Sequence, residues 1–356
     1  MKILILPRYD FSGASSRYRL YQYIPFLSEQ GHEVFVKPLL GEDYIKYLYN
    51  NKMSLPFAEI IKGYFQRIFI LLNKNKYDII WLQQEAFPWI PSWFEKFFWE
   101  SKPKLVTDYD DAFFHRYDDH KSQFVRSILG KKIDSIMSYA DLILAGNEYL
   151  AERAKKNNKE KNIKIFPTVV DINKFKFIEN KKDSIFTIGW IGTPSTEKYI
   201  YEIEDVIKEI SKDRDVKFVL LGANNINIES SILEIKKWEE STEIVEISKF
   251  DVGVMPLPDN PWERGKCGFK LIQYLACGIP VIGSPVGVNS KIIVDGENGF
   301  QAKNSFEWIN YIKTLKNDPS LRKKMSIAGR KLVEEKYSLQ NNSLKLIEYF
   351  NTLVQE

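Results

Sequence analysis

Cysteine and histidine are scarce, with two and three residues in a chain of 356. Cys267 and Cys277 cannot form a disulfide framework, and with so few histidines they cannot complete a four-ligand zinc site. No metal centre and no resident cofactor are expected. Long apolar runs are missing as well. A membrane span needs roughly 18 to 20 apolar residues, and the stretch beside Arg67 offers only IFILL. The opening MKILILPRYDFSG holds one lysine and a short apolar run before charges intervene, unlike a secretory signal, so a cytoplasmic location is expected. There is no G-x-G-x-x-G after the first apolar run, which argues against a dinucleotide-dependent dehydrogenase. Internal repeats and low-complexity tracts are also lacking.

The length suits two ordinary domains, and 44% hydrophobic with 28% charged residues is a globular balance. The net charge of +4 is unevenly spread. Residues 1–178 hold 27 Lys and Arg against 21 Asp and Glu, whereas the remainder holds 24 against 26. A basic first half suits an anionic partner such as a phospholipid surface or a phosphate-bearing substrate, although lysine-rich solvated helices give the same excess. No nucleic-acid partner is expected.

Short apolar runs rich in β-branched residues recur between helical patterns. They are Ile3–Leu6, Val34–Val36, Ile79–Leu82, Leu105–Thr107, Leu142–Ala145 and Ile163–Phe166 in the first half. Phe186–Ile191, Phe218–Leu221, Val252–Met255 and Val281–Ile282 follow in the second. Continuous rather than alternating apolar character indicates strands buried on both faces, hence two parallel α/β sheets. The expected division is 1–170, 171–335 and a terminal amphipathic helix 336–356 packing back on the first domain. The polar stretch Val170–Ser184 serves as linker, and Leu344, Ile347, Phe350 and Leu353 form the apolar stripe of the last helix. In open α/β sheets ligands sit beyond the carboxyl ends of the strands, so the loops there carry the chemistry.

Three such loops stand out. After the first strand, Gly13 and the small residues behind it precede a helix, and Arg17 and Arg19 add cationic forks. An ordinary strand-to-helix turn would look the same. In TIGWIGTPSTEKYI, Gly192 and Thr193 lead into hydroxyl residues and then Glu197 and Lys198, which reads equally as an N-cap or as a phosphate cradle. In PWERGKCGFKLIQYLACGIPVIG, Gly265 to Gly268 form a tight loop and Phe269 opens a helix to about Cys277. Its N–H groups point outward while Lys266 and Lys270 can neutralise a diphosphate.

The last pattern, with GSPVGVN and DGENGF after it, DVGVMPL before it and LRKKMSIAGRKLVEEKYS downstream, resembles the donor-site region of retaining glycosyltransferases of family 4, the group 1 glycosyl transferases. The resemblance implies the GT-B fold, two Rossmann-like domains facing across a cleft. It further implies that Gly13, Gly192, Thr193, Lys198, Lys266, Cys267, Gly268, Phe269 and Gln273 bind a nucleotide-diphosphate sugar. The family's E-x7-E motif is degenerate: Gly265 stands at the first Glu and Gln273 at the second. Glu263 is the candidate replacement, and Lys270 the candidate catalytic cation.

In KLVTDYDDAFFHRYDDH, Asp108, Asp110, Asp111 and His115 follow a strand. Clustered carboxylates raise one another's pKa or create a cation site, and acids can equally cap a helix. An Asp-x-Asp string also occurs in metal-dependent transferases of another fold, which lacks two separate sheets. The family implies that Asp110 orients an acceptor hydroxyl, with Arg17, Arg19, Asp108, Asp111 and His115 on the acceptor side. The aromatic run EAFPWIPSWFEKFFWESKPK divides between helix core and an exposed patch suited to an inner-membrane interface or a lipid-linked acceptor. The resulting expectation is transfer of a sugar, with retention, from a nucleotide-sugar donor to a saccharide or lipid-linked acceptor in cell-surface polysaccharide biosynthesis. A nucleotide-sugar epimerase and a non-catalytic nucleotide-sugar-binding subunit are the alternatives.

Overall fold

The computed structural model describes residues 1–49, 53–99, 102–157, 162–177 and 185–355. Most of the FIENKKDS part of the expected linker lies outside them. The chain divides into two compact units. The first comprises Met1–Thr168, Arg264–Cys267 and Leu339–Glu356, and the second Val169–Glu263 and Gly268–Ser338.

The first unit holds a parallel sheet of β1 (Lys2–Leu6), β2 (Glu33–Val36), β3 (Ile79–Gln83), β4 (Lys104–Tyr109), β5 (Leu142–Ala145) and β6 (Asn162–Ile165). Its order is β2-β1-β3-β4-β5-β6. Apart from Lys2 at the start of β1, the strands β1, β3 and β5 are buried along their whole length, as expected for runs without alternation. The connections reverse direction between β1 and β3, which places the topological switch point at their carboxyl ends.

The second unit holds β7 (Phe186–Ile191), β8 (Val216–Leu221), β9 (Leu233–Lys236), β10 (Val252–Met255), β11 (Val281–Gly283) and β12 (Gly299–Gln301). Their order is β12-β11-β10-β7-β8-β9, again parallel throughout, with the switch point between β7 and β10. The sequence reading missed β9 and β12. Both are edge strands, and β9, with the sequence LEIK, is only partly buried, so neither forms an apolar run.

The terminal helix Leu339–Gln355 belongs to the first unit, where it contacts the short helices at 21–23 and 24–29. Its buried stripe is Leu339, Leu346, Phe350 and Leu353, and Phe350 meets the edge of Trp81 with ring centroids 5.5 Å apart. Leu344, expected on that stripe, points to solvent. At about 100° per residue it lies roughly opposite Leu353.

Candidate functional site

In the first unit the loop after β1 is pinned to the end of β3. Gln83 accepts from the Arg8 amide at 3.0 Å and from Ser16 Oγ at 2.7 Å, and it donates to Ser15 Oγ at 2.8 Å. Gly13 opens the helix Ala14–Arg19, and a Cβ there would lie 2.5 Å from Tyr9 Cβ, so the close turn depends on glycine. Asp110, just past β4, receives Ser15 Oγ on one oxygen and Gln84 Nε2, at 3.2 Å, on the other. Gln84 takes φ +63°, a conformation costly for a residue with a Cβ and one that clusters at functional sites.

The three acids do not share a cation site. Asp108 is fully buried and paired with Arg19 through two bonds of 2.8 and 2.9 Å, while Arg19 also donates to Phe166 O and Thr168 Oγ1. Burial pushes the Asp108 carboxyl up to about 6 against the pull of Arg19. Asp111 lies 3.4 Å from Lys266 Nζ. Among the described residues no group of three or more His, Cys, Asp or Glu side chains is placed to hold a metal ion. Arg19 and Asp108, expected on the acceptor side, therefore form an internal brace. Arg17 is also buried, over the rings of Phe11 and Tyr18. Both ring nitrogens of His115 are engaged, by Asp118 and by the Tyr149 hydroxyl, each at 2.8 Å.

The segment Arg264–Cys267 sits within this first unit. Asn147 Nδ2 donates to the carbonyls of Gly265 at 2.8 Å and Lys266 at 3.0 Å, and Cys267 Sγ donates to Asp110 O at 3.1 Å. The loop expected to hold a diphosphate is thus divided: Lys266 and Cys267 adjoin Asp110 and Asp111, while Gly268 and Phe269 belong to the second unit.

In the second unit Gly268, at φ +64°, turns the chain into the helix Phe269–Ala276. Only glycine adopts this φ without strain. Lys270 from that helix reaches Thr196 Oγ1 at 3.3 Å and lies 4.1 Å over the Trp190 ring, joining the helix after β10 to the loop after β7. Within that loop Thr196 Oγ1 accepts from the Thr193 amide and donates to its carbonyl, both at 3.0 Å. Gly192 donates to Leu221 O, and the exposed Lys198 sits 5.0 Å over the Tyr199 ring. A cation, hydroxyls and a helix start thus gather at the switch point, a constellation for a phosphorylated ligand.

Glu263 is buried and accepts from the Tyr199 hydroxyl at 2.6 Å, so the geometry gives it a bracing contact. Gln273 is buried too, and its Nε2 donates to Glu243 Oε1 at 3.0 Å. Trp238 Nε1 reaches the same oxygen at 2.9 Å. Glu243 was not foreseen: it lies outside every motif, 30 residues from Gln273. Gln83, Gln84 and Glu85 were also missed, though three polar residues in a row after a buried strand were a visible signal. Glu85 anchors a buried network with Arg8 at 3.2 Å and Lys132 at 2.7 Å, and Lys132 reaches Glu95 at 3.0 Å.

With this geometry the chain has the GT-B fold. It is similar over 99% of its length, with a TM-score of 0.75 and 14% identity, to sucrose-phosphate synthase from Thermosynechococcus elongatus, covering 99% of that chain. Anabaena HepE, solved in complex with UDP-glucose, aligns over 99% of this chain and 100% of its own at TM-score 0.72 and 15% identity. Residues 183–318 match the family model described as glycosyl transferases group 1. The capsular polysaccharide biosynthesis glycosyltransferase CapM of Staphylococcus aureus is 32% identical over 185 residues, 48% of this chain and 47% of that protein. The chain spans about half the length of the curated relatives it matches. The matched domain and these relatives support a transferase.

Proposed function

We propose that the protein is a glycosyltransferase that moves a sugar from a nucleotide-diphosphate donor to a hydroxyl of a saccharide or lipid-linked acceptor, with retention. The observation that carries the reading is Lys270, set on Thr196 and Trp190 at the switch point of the second sheet. There the cation and the start of helix 269–276 would stabilise the diphosphate as its bond to the anomeric carbon breaks. Gly192, Thr193, Lys198, Gly268 and Phe269 would line the same phosphate site. Gln273, with the carboxylate of Glu243 beside it, would meet the ribose hydroxyls.

In the first unit Asp110, oriented by Ser15 and Gln84, would hold the acceptor hydroxyl, with Arg17, Asp111 and His115 shaping its surroundings. The anomeric carbon–phosphate bond breaks, a bond to the acceptor oxygen forms, and the acceptor proton passes to the leaving phosphate. CapM's role in capsular polysaccharide biosynthesis favours a cell-surface polysaccharide as product. Among the described residues no helix is long and apolar enough to cross a membrane, and we place the protein peripherally at the cytoplasmic face.

Thermal unfolding with UDP, GDP, ADP and CMP in turn tests the donor site. A nucleotide at about 100 times its dissociation constant adds about 2.7 kcal/mol, a shift of several degrees. Incubation of the responsive nucleotide's sugars with acceptor then reads transfer, and the anomeric proton coupling of the product reads retention. No shift with any nucleotide would overturn the reading.

A further inference from the structure

We infer that the first unit carries a docking face for an anionic lipid bilayer, built on the outer side of the helix Phe57–Leu72. That helix buries Gly63, Arg67 and Leu71. Opposite them Phe57, Ile61, Phe65, Phe69 and Leu72 all face solvent, Phe65 and Phe69 at 68% and 70% exposure. Spacings of four and three residues place the five on one stripe along the whole helix. Single exposed apolar residues are ordinary, but a continuous row marks an interaction surface.

The stripe does not stand alone. Tyr64, beside it on the helix, donates its hydroxyl to Pro88 O at 2.6 Å and packs on Phe87. The helix therefore runs against the aromatic segment 87–99, where Trp93 and Phe97 are each 72% exposed. The exposed Trp89 meets Tyr117 and His120 edge-on, so the chain leading into helix Gln123–Leu129 adjoins the same segment. On that helix Phe124 and Ile128 are exposed.

Charge decides what covers this face. Across 57–72, 92–97 and 121–131 every exposed charged residue is a cation: Lys62, Lys96, Lys121, Arg126 and Lys131. The acids of these segments are withdrawn, since Glu59 is half-buried against the Gly41 amide and Glu95 is buried against Lys132 and the amides of Ala86 and Phe87. Large rings bordered mainly by cations, with Asp119 beside His120 the exposed acid at the border, match an interface of acyl chains beneath anionic headgroups. Lysine stems extend the apolar surface while their ammonium groups reach the phosphates. Only the purpose of docking, bringing a lipid-linked acceptor within reach, rests on the transferase reading.

Flotation of the full chain with phosphatidylcholine vesicles, with and without phosphatidylglycerol, tests the proposal. We expect binding that requires phosphatidylglycerol, weakens with salt and falls at least about tenfold in the double variant F65S/F69S, roughly 1.4 kcal/mol. Both positions are exposed, so the variant should keep the parent's unfolding temperature and its nucleotide-induced shift. Lys121→Glu with Arg126→Glu should lower binding through charge alone. Absence of binding to anionic vesicles overturns the proposal, as does equal binding by parent and variants. A concentration-dependent dimer lost in F65S/F69S, without vesicle binding, would instead assign the face to a second copy. Vesicle binding without any nucleotide shift would leave docking in place and remove the transferase reading.

Discussion

Gln273 gives its side-chain amide to Glu243, and Trp238 fixes the same carboxylate oxygen from another side. A negative charge that the helix 269–276 lacks is thereby held next to it by a different element. If the pair meets ribose, E243Q and Q273E should each weaken nucleotide binding by about tenfold, near 1.4 kcal/mol. The first removes the charge and the second sets two carboxylates against each other. The exchanged double variant E243Q/Q273E should recover most of the loss. Titration calorimetry with the responsive nucleotide measures this, and equal affinity in all four proteins would detach the pair from the site.

Lys270→Met keeps an apolar stem on Trp190 and removes the cation. Turnover should fall by about 10²-fold or more, the size of losing one transition-state donor. Steady-state kinetics at saturating donor gives the answer, and near-parent turnover would take Lys270 out of the chemistry.

Asp110→Asn preserves shape but not charge between Ser15 and Gln84. Its effect should fall on transfer to acceptor, with a clear loss of kcat and an unchanged nucleotide-induced unfolding shift. A loss of nucleotide binding instead would place Asp110 on the donor side.

Arg19→Ala leaves the Asp108 carboxylate buried without its main partner. Breaking a buried pair costs roughly 3–5 kcal/mol, which thermal unfolding at neutral pH should show. Burial already holds this carboxyl at about 6, above its ordinary 3.8. Its contribution to stability is present in acid and is lost as pH rises through about 6. Without Arg19 the folded-state pKa moves higher still, so the variant's deficit should shrink on acidification from pH 7 towards 4. A deficit independent of pH would trace the loss to packing alone.

Burial also raises both thiols, Cys277 to about 12 and Cys267 further. Neither should react with a thiol reagent at pH 8 in the native protein, and both should react at once in denaturant. Rapid modification of the native chain would show one of the sites opening.

The fold was legible because its central strands are unbroken apolar runs, and Ile3–Leu6 and Ile79–Leu82 carry nothing else. The edges were not, because a strand like Leu233–Lys236 is only partly buried and interleaves charged residues with its apolar ones. The switch-point residues Gly268 and Lys270 were readable from a local motif. Charges that pair across long stretches were not: Arg19 with Asp108 is an 89-residue separation, and the sequence presents two forks and a string of acids without saying that they meet. The same holds for Lys132, which reads as a surface lysine and is buried between Glu85 and Glu95.

The terminal helix has a consequence for biosynthesis. Synthesis runs from the amino end, and domains generally fold as units while the chain emerges. The second unit, Val169–Glu263 with Gly268–Ser338, is complete before residue 339 is made. The first begins earlier but finishes last, because Trp81 must wait for Phe350 to cover it and Asp110 must wait for Cys267. A nascent chain stalled before residue 339 would therefore present a first unit whose Trp81 still lacks the cover of Phe350. At that stage a ribosome-associated chaperone would find its substrate in the early part of the sequence.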